Sequence, residues 1–202
     1  MIINFTPTGM VPTKRTAPTV PIEANEIIEQ VHEAHEVGIT MVHVHARNAD
    51  ATPSSRVVDY APILEGIRMH CPDLVICTSL SGRNVVDPVL RSEVLSLKPD
   101  LASLTLSSMN FASQASVNAP ETIQQLAANI RAAGAKPELE VFDLGMMNYL
   151  HYLRRKGLVE APFYINILLG NIAGAQLNPS AVGALLQEVP NDCHIEIGRA
   201  HV

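Results

Sequence analysis

LASLTLS, residues 101–107, sets Ser103, Thr105 and Ser107 against Ala102, Leu104 and Leu106 in strict alternation. Residues two apart on a β-strand share a face, so this segment has one hydroxyl-lined face and one apolar face. ELEVF (138–142) does the same with Glu138 and Glu140 against Leu139 and Val141, and MVHVHAR (41–47) sets His43, His45 and Arg47 against Val42 and Val44. Central strands of an open parallel sheet are covered on both sides and read as apolar on both faces. A polar inner face suits a barrel that carries its site at the C-terminal mouth. Of the two architectures compatible with βα repetition, these strands favour the α/β (β/α)8 TIM barrel over a doubly wound sheet.

The rest of the chain supplies the repetition. Strands are expected at 2–5, 41–46, 74–80, 101–107, 138–142 and 163–169, with another starting at 193–195. Helices are expected at 23–37, 58–69, 87–96, 119–133, 145–156 and 179–188. Pro72-Asp73-Leu74, Pro99-Asp100-Leu101 and Pro137-Glu138-Leu139 each open a strand, because proline stops the preceding helix. Unbroken βα order implies a parallel sheet with right-handed crossovers. Six βα units and a seventh strand fall short of a barrel of about 250 residues, so the barrel is expected to be incomplete. The last six residues, Ile197–Val202 (IGRAHV), are also what one frame of a common sequencing adapter encodes. Residues 1–195 are therefore taken as a partial barrel catalytic domain and 196–202 as a non-native, sequence-derived tail. The competing reading is a genuine glycine-containing βα loop. His201 is not offered as a ligand.

Composition narrows the class. The 202 residues are 47% hydrophobic and 17% charged with a net charge of −6, and no apolar run reaches bilayer length. There is no basic stripe, tryptophan is absent and aromatics are 4%, which excludes a nucleic-acid platform. No basic start followed by an apolar run suggests secretion. Cys71, Cys77 and Cys193 form neither a disulfide framework nor a CxxC pattern. A cytoplasmic enzyme with no membrane and no nucleic-acid partner is the expectation.

His43 and His45 are the metal candidates, two imidazoles on one strand face that can converge on a cation, zinc being usual for such nitrogens. The other reading is a hydrogen-bonded pair in a polar interior. Two histidines do not complete a site, and a carboxylate is the expected third ligand. Glu140, inward on its strand, is the candidate base, anchor or ligand, with Asp143 just beyond and Arg47 as its expected ion-pair partner. Ser79, Ser103 and Thr105 are candidates for orienting a substrate carboxylate or enolate. The loop from Leu169 to Ala175 allows close backbone approach to a ligand, with no GxGxxG or Walker spacing. HEAHE (32–36) lacks the HExxH spacing and reads as a solvated helix face. Lys98 and Lys136 precede strands, Lys156 ends a helix, and only Lys14 could reach the mouth, which disfavours a Schiff-base aldolase.

TPTG (6–9), HVHAR, TSLSG (78–82), KPDLASLTLSSMNF (98–111), KPELEVFD (136–143) and the Gly170 loop together resemble the β-keto acid cleavage enzymes, in order, over about residues 2–190. The described relative is the 3-keto-5-aminohexanoate cleavage enzyme of lysine fermentation. The resemblance implies a zinc-dependent (β/α)8 barrel, usually a homo-oligomer, that transfers an acyl group from a β-keto acid to acetyl-CoA, giving acetoacetate and a new acyl-CoA. It matches His43 and His45 to the zinc histidines, Ser79 and Ser103 to substrate contacts, and Glu140 to an active-site glutamate. Thr105, Val11, Gly82 and Asn110 are further substrate-binding candidates, and Arg47 is a catalytic one beside Glu140. Val11 stands where the lysine-fermentation enzyme has a glutamate for the substrate's amino group. The third zinc ligand, a catalytic aspartate and an arginine are implied beyond residue 202, so the chain by itself is expected to be inactive. A metal-dependent aldolase or isomerase without CoA, and a non-catalytic binding remnant, are the alternatives.

Overall fold

The computed structural model describes residues 1–199; the remaining three residues of the expected tail, His201 among them, lie outside the described residues. Seven strands pair in parallel in chain order: β1 (Asn4–Phe5), β2 (Met41–Val44), β3 (Val75–Thr78), β4 (Leu101–Thr105), β5 (Lys136–Val141), β6 (Phe163–Leu169) and β7 (Cys193–Arg199). Between them run α1 (Ala24–Glu36), α2 (Val57–His70), α3 (Pro88–Ser92), α4 (Pro120–Ala132), α5 (Leu144–Arg155) and α6 (Pro179–Gln187). This is the arc of a (β/α)8 barrel.

Curvature is visible in bonds that a flat sheet forbids. Strands spaced about 4.8 Å apart would separate β2 from β5 by roughly 14 Å and β1 from β7 by roughly 29 Å. Yet His43 Nδ1 on β2 lies 2.7 Å from Glu138 Oε2 on β5, and Asn4 Nδ2 on β1 donates to Glu196 Oε2 on β7 at 3.0 Å. The sheet has therefore curled until side chains from its two edges meet inside.

The alternation read from LASLTLS divides the molecule into two environments. Val42, Val44, Ile76, Ala102, Leu104, Leu139, Val141, Ile165 and Ile167 point outward and join the helices in one large apolar core. Inside, Met41, Cys77 and Tyr164 make a small apolar cluster. The hydroxyl- and carboxylate-bearing positions occupy the same inner face.

Helix starts follow local chemistry. Asp87, Asp143 and Asn178 cap α3, α5 and α6, each accepting a backbone N–H at 2.8–2.9 Å, and proline occupies the first turn of α3, α4 and α6. Some expected boundaries differ. The 87–96 helix is α3 followed by a 3₁₀ turn, Glu93–Leu97, that ends at Lys98 in the left-handed region (φ 53°). The second strand stops at Val44, because Ala46–Arg47 turns away to pair antiparallel with Pro53–Ser54. A second short pair, Met109–Asn110 with Ala115–Ser116, fills what was expected to be plain loop. β7 continues past residue 195 to Arg199, in register with β6. No helix among the described residues is long and apolar enough to cross a membrane.

The long β1–α1 loop is fastened at Glu26. Its carboxylate accepts from the Ile22 and Glu23 N–H groups at 2.8 and 3.1 Å and from Lys14 Nζ at 2.6 Å. Lys14 is thereby held at the start of α1. These contacts, the Lys14 bond first, bring the Glu26 pKa down to about 2. A carboxylate with a depressed folded pKa contributes stability above its unfolded pKa and loses it as pH falls toward the folded value. Glu26 is partly exposed, so screening limits the effect. Glu26→Gln should lower unfolding stability by about 1 kcal/mol at pH 7. The difference from wild type should shrink between pH 4.5 and about 2 in denaturant titrations.

Candidate active site

At the C-terminal ends of the strands lies an open cleft of about 980 Å³, the solvent at its mouth included. Its wall includes the β1–α1 loop through Val11, His43 and His45 from the end of β2, Ser79 after β3, Ser103 and Thr105 on β4, and Glu140 on β5. Seven sequence-derived candidates are thus gathered in one place.

His43 is anchored from below. Its Nδ1 meets Glu138 Oε2 at 2.7 Å; the same oxygen accepts from Cys77 Sγ at 3.0 Å, and Asn166 Nδ2 donates to the other carboxylate oxygen at 2.8 Å. Glu138 has no exposed surface. Burial alone would raise its pKa, but the charge and hydrogen bond of His43 and the two further donors hold it below the ordinary carboxylate value. For His43, burial works against the proton, and the charge and hydrogen bond of Glu138 together with the charges of Glu140 and Glu196 outweigh it, leaving the pKa at about 9. His45, its ring centroid 5.1 Å from that of His43, has the opposite fate. Burial, then the neighbouring His43, Arg83 and Arg47, push it well below the usual histidine value.

These facts bear on whether a metal ion fits. A ligating histidine commonly gives its other ring nitrogen to a carboxylate, which fixes ring orientation and raises basicity. Glu138 does this to His43 at Nδ1, leaving Nε2 with no hydrogen-bond partner among the described residues. His45 is kept in the neutral form that coordinates. The pair fits two corners of a zinc site. His43, Cys77 and Glu138 also place donor atoms within 4.8 Å of one another. Their short contacts are hydrogen bonds, however, and burial followed by Glu138 keeps the Cys77 thiol protonated, its pKa well above normal. The cluster reads better as the support beneath His43.

Across the cleft, Glu140 accepts a hydrogen bond from Thr105 Oγ1. Burial first, then the charge of Glu138, raise its pKa against the pull of His43, Thr105 and Arg83. Ser103 Oγ accepts from Leu80 N at 3.0 Å and so ties the β3–α3 loop to β4.

Three candidates are placed elsewhere. Arg47 neither pairs with Glu140 nor lines the cleft. The break after Val44 turns its guanidinium to the carbonyls of Ala51 (2.8 Å), Pro12 (3.0 Å) and Gly9, where it holds the β1–α1 loop. Gly82 is buried for packing, since a Cβ there would lie 2.7 Å from the Val117 carbonyl oxygen and 2.9 Å from Arg91 Nη1. Asn110 is exposed, and its carbonyl accepts from Asn171 Nδ2 at 3.0 Å. In the Leu169–Ala175 loop, Gly170 N–H bonds to the Ala175 carbonyl at 3.0 Å, closing the turn on itself.

Sequence reading missed Glu138 as the partner of His43, and it missed Asn166, Arg83 and Phe111. Asn166 had a signal, being the single polar side chain in FYINILL. Arg83 had one too, a lone cation just past the TSLSG strand end.

Comparison with known proteins follows the same lines. The profile of the beta-keto acid cleavage enzyme family matches residues 1–201. A 3-oxoadipate:acetyl-CoA acetyltransferase of Cupriavidus necator is 40% identical over 169 residues, covering 84% of this chain and 59% of that protein. A 3-keto-5-aminohexanoate cleavage enzyme of Fusobacterium nucleatum is 31% identical over 171 residues, covering 84% of this chain and 63% of that protein. The chain spans about three-fifths of the length of these two curated relatives. In fold, a complex of ObcA with oxaloacetate superposes with a TM-score of 0.69 at 21% identity, covering 76% of this chain and 38% of that one.

The two donor sets are separable by cobalt substitution. Glu138→Gln should weaken Co²⁺ binding about 10–100-fold through loss of the support to His43, and His45→Ala should remove a ligand outright. Cys77→Ser should leave binding unchanged, with no thiolate-to-cobalt charge-transfer band in the parent protein. A band lost on Cys77→Ser would place the ion in the lower cluster instead.

Proposed function

The chain belongs to the β-keto acid cleavage enzyme family, and on that premise we propose that its cleft transfers the acyl group of a β-keto acid to acetyl-CoA, giving acetoacetate and a new acyl-CoA. The observation that carries this reading is the juxtaposition of a carboxylate-anchored His43 and a neutral His45 with Glu140 across the cleft. A zinc ion held by His43 and His45 would supply Lewis-acid polarisation of the β-keto oxygen. The expected third ligand is a glutamate from beyond residue 202.

The chain's own residues have separable tasks. Glu138 holds the His43 ring in place from beneath. Glu140, with its raised pKa, is a stronger base than a surface carboxylate and is the group we assign to moving a proton at the substrate carbon. Thr105 steadies Glu140, and Ser79, on the same wall, is available to a substrate oxygen. Val11, 61% exposed at the cleft rim, offers no charge to an ammonium group. Of the two cations in that loop, Lys14 is engaged by Glu26 and Arg15 is exposed. A β-keto acid without an amino group therefore fits this rim best.

The test uses the full-length protein, metal-loaded, with acetyl-CoA and a panel of β-keto acids. Acetoacetate should form, and the 202-residue chain assayed alone should form none. Failure with every acid would remove the proposal, and cleavage that needs no acetyl-CoA would move the assignment to an aldolase on the same barrel. Val11→Glu should raise kcat/KM for an aminated acid relative to a neutral one by about 10–100-fold, the worth of one charge-assisted contact. An unchanged ratio would show that this loop does not read the substrate's side chain.

A further inference from the structure

We propose that Arg83 is a specificity-determining residue that receives the distal carboxylate of a dicarboxylic β-keto acid. This rests on the reading of the cleft as a β-keto acid site, and it names the substrate class.

The starting point is an imbalance of charge. Arg47, Arg83 and Arg91 converge on the cleft and its supporting loops, and none of the three has a carboxylate oxygen within 4.0 Å among the described residues. Cations taken out of water need partners. Arg47 donates to three carbonyls through Nη1 and Nη2, although its buried Nε has no partner among the described residues. Arg91, almost fully buried, is satisfied by the Leu80 carbonyl at 2.8 Å, the Val117 carbonyl at 3.5 Å and Asn118 Oδ1 at 2.8 Å. The Arg83 guanidinium has no hydrogen-bond acceptor among the described residues, and it lines the cleft.

The carboxylates inside make no ion pair with Arg83 among the described residues. Glu196 accepts from Asn4 and Tyr164. Glu138 is matched by His43 beneath the cleft floor. Glu140 is engaged by Thr105 and makes no ion pair with Arg83. The remaining positive charge at the rim is that of Arg83, partly withdrawn from water so that burial presses its pKa down.

Arg83 is also prepared geometrically. Its Cζ lies 3.4 Å from the centroid of the Phe111 ring, which lines the same cleft. A guanidinium held against an aromatic face loses little further freedom on binding and keeps its edge of N–H donors for a bidentate carboxylate. Arg83, His43 and His45 line the same cleft, so the cation and the histidine pair share one space. A substrate with its β-keto end at the histidines and a carboxylate at its far end joins the two.

The test compares 3-oxoadipate with 3-oxohexanoate, which lacks the second carboxylate, in the full-length protein. Wild type should prefer the dicarboxylate. In Arg83→Gln the ratio of kcat/KM values should fall about 10–100-fold, the range for a charged hydrogen-bonded contact, and Arg83→Lys should recover part of it. KM for acetyl-CoA should not move. A raised KM for acetyl-CoA with an unchanged ratio would assign Arg83 to a CoA phosphate and overturn the proposal, as would an unchanged ratio alone. Binding of adipate against hexanoate, measured calorimetrically, reads the same contact without turnover. If no acid gives acetoacetate, the reaction assigned above fails, and Arg83 is judged on whether Arg83→Gln loses adipate affinity selectively.

Discussion

A carboxylate sealed inside a β-sheet is the constraint on which this structure depends. Desolvating Glu138 without partners would cost several kcal/mol. No single neighbouring strand supplies enough donors. His43 comes from β2, Cys77 from β3 and Asn166 from β6. The donors from β2 and β6 lie on opposite sides of β5 in the sheet order, and they reach one carboxylate because the sheet is curled. The same contacts orient the His43 ring. Curvature, charge balance and the presentation of a metal-binding nitrogen are therefore one problem with one solution.

Stability and chemistry are divided between the two faces of the sheet. The outward residues pack against α1, α2, α4, α5, α6 and the 3₁₀ turn in a continuous apolar core, where Val42, Leu104, Leu139 and Ile165 have no exposed surface. That core tolerates the cost of an inner face carrying His43, His45, Glu138, Glu140, Glu196 and several hydroxyls. The inner apolar cluster is small by comparison. Ordering of the cleft floor thus comes from hydrogen bonds anchored on strands, while the force holding those strands comes from the opposite face.

How much of this was readable in the sequence follows from the same division. Period-two alternation at 101–107 and 138–142 reports which face is which, so the barrel class and the inward places of His43, Ser103, Thr105, Glu138 and Glu140 were legible. Arg47 was not, because alternation holds only while the strand continues, and the chain turns after Val44 to pair with Pro53–Ser54. Gly82 and Asn110 were carried by resemblance, and what places them is packing between loops, which has no period. The Glu138–His43 bond escaped for a related reason. Pattern shows that two residues face inward but not that curvature will bring β2 and β5 into contact.

The floor and the rim of the cleft obey different physics, and this bears on how one scaffold accommodates different acids. Glu138, Glu140 and Asn166 are paired in register on both sides, and His43 is paired with Cys77. Val11, Arg83 and Phe111 lie on segments that follow strands and carry no sheet pairing of their own in the main sheet. A change of charge at the rim alters which side chain of a substrate is welcomed by about 1–3 kcal/mol. It leaves the bonds that set the histidine geometry untouched, because no hydrogen bond joins Arg83 or Val11 side chains to Glu138 among the described residues. Loops held on a rigid sheet are where such changes cost least. A cation stacked on Phe111 at the rim, above a carboxylate already neutralised by His43, lets the cleft favour an anionic side chain without disturbing the charge balance of its floor.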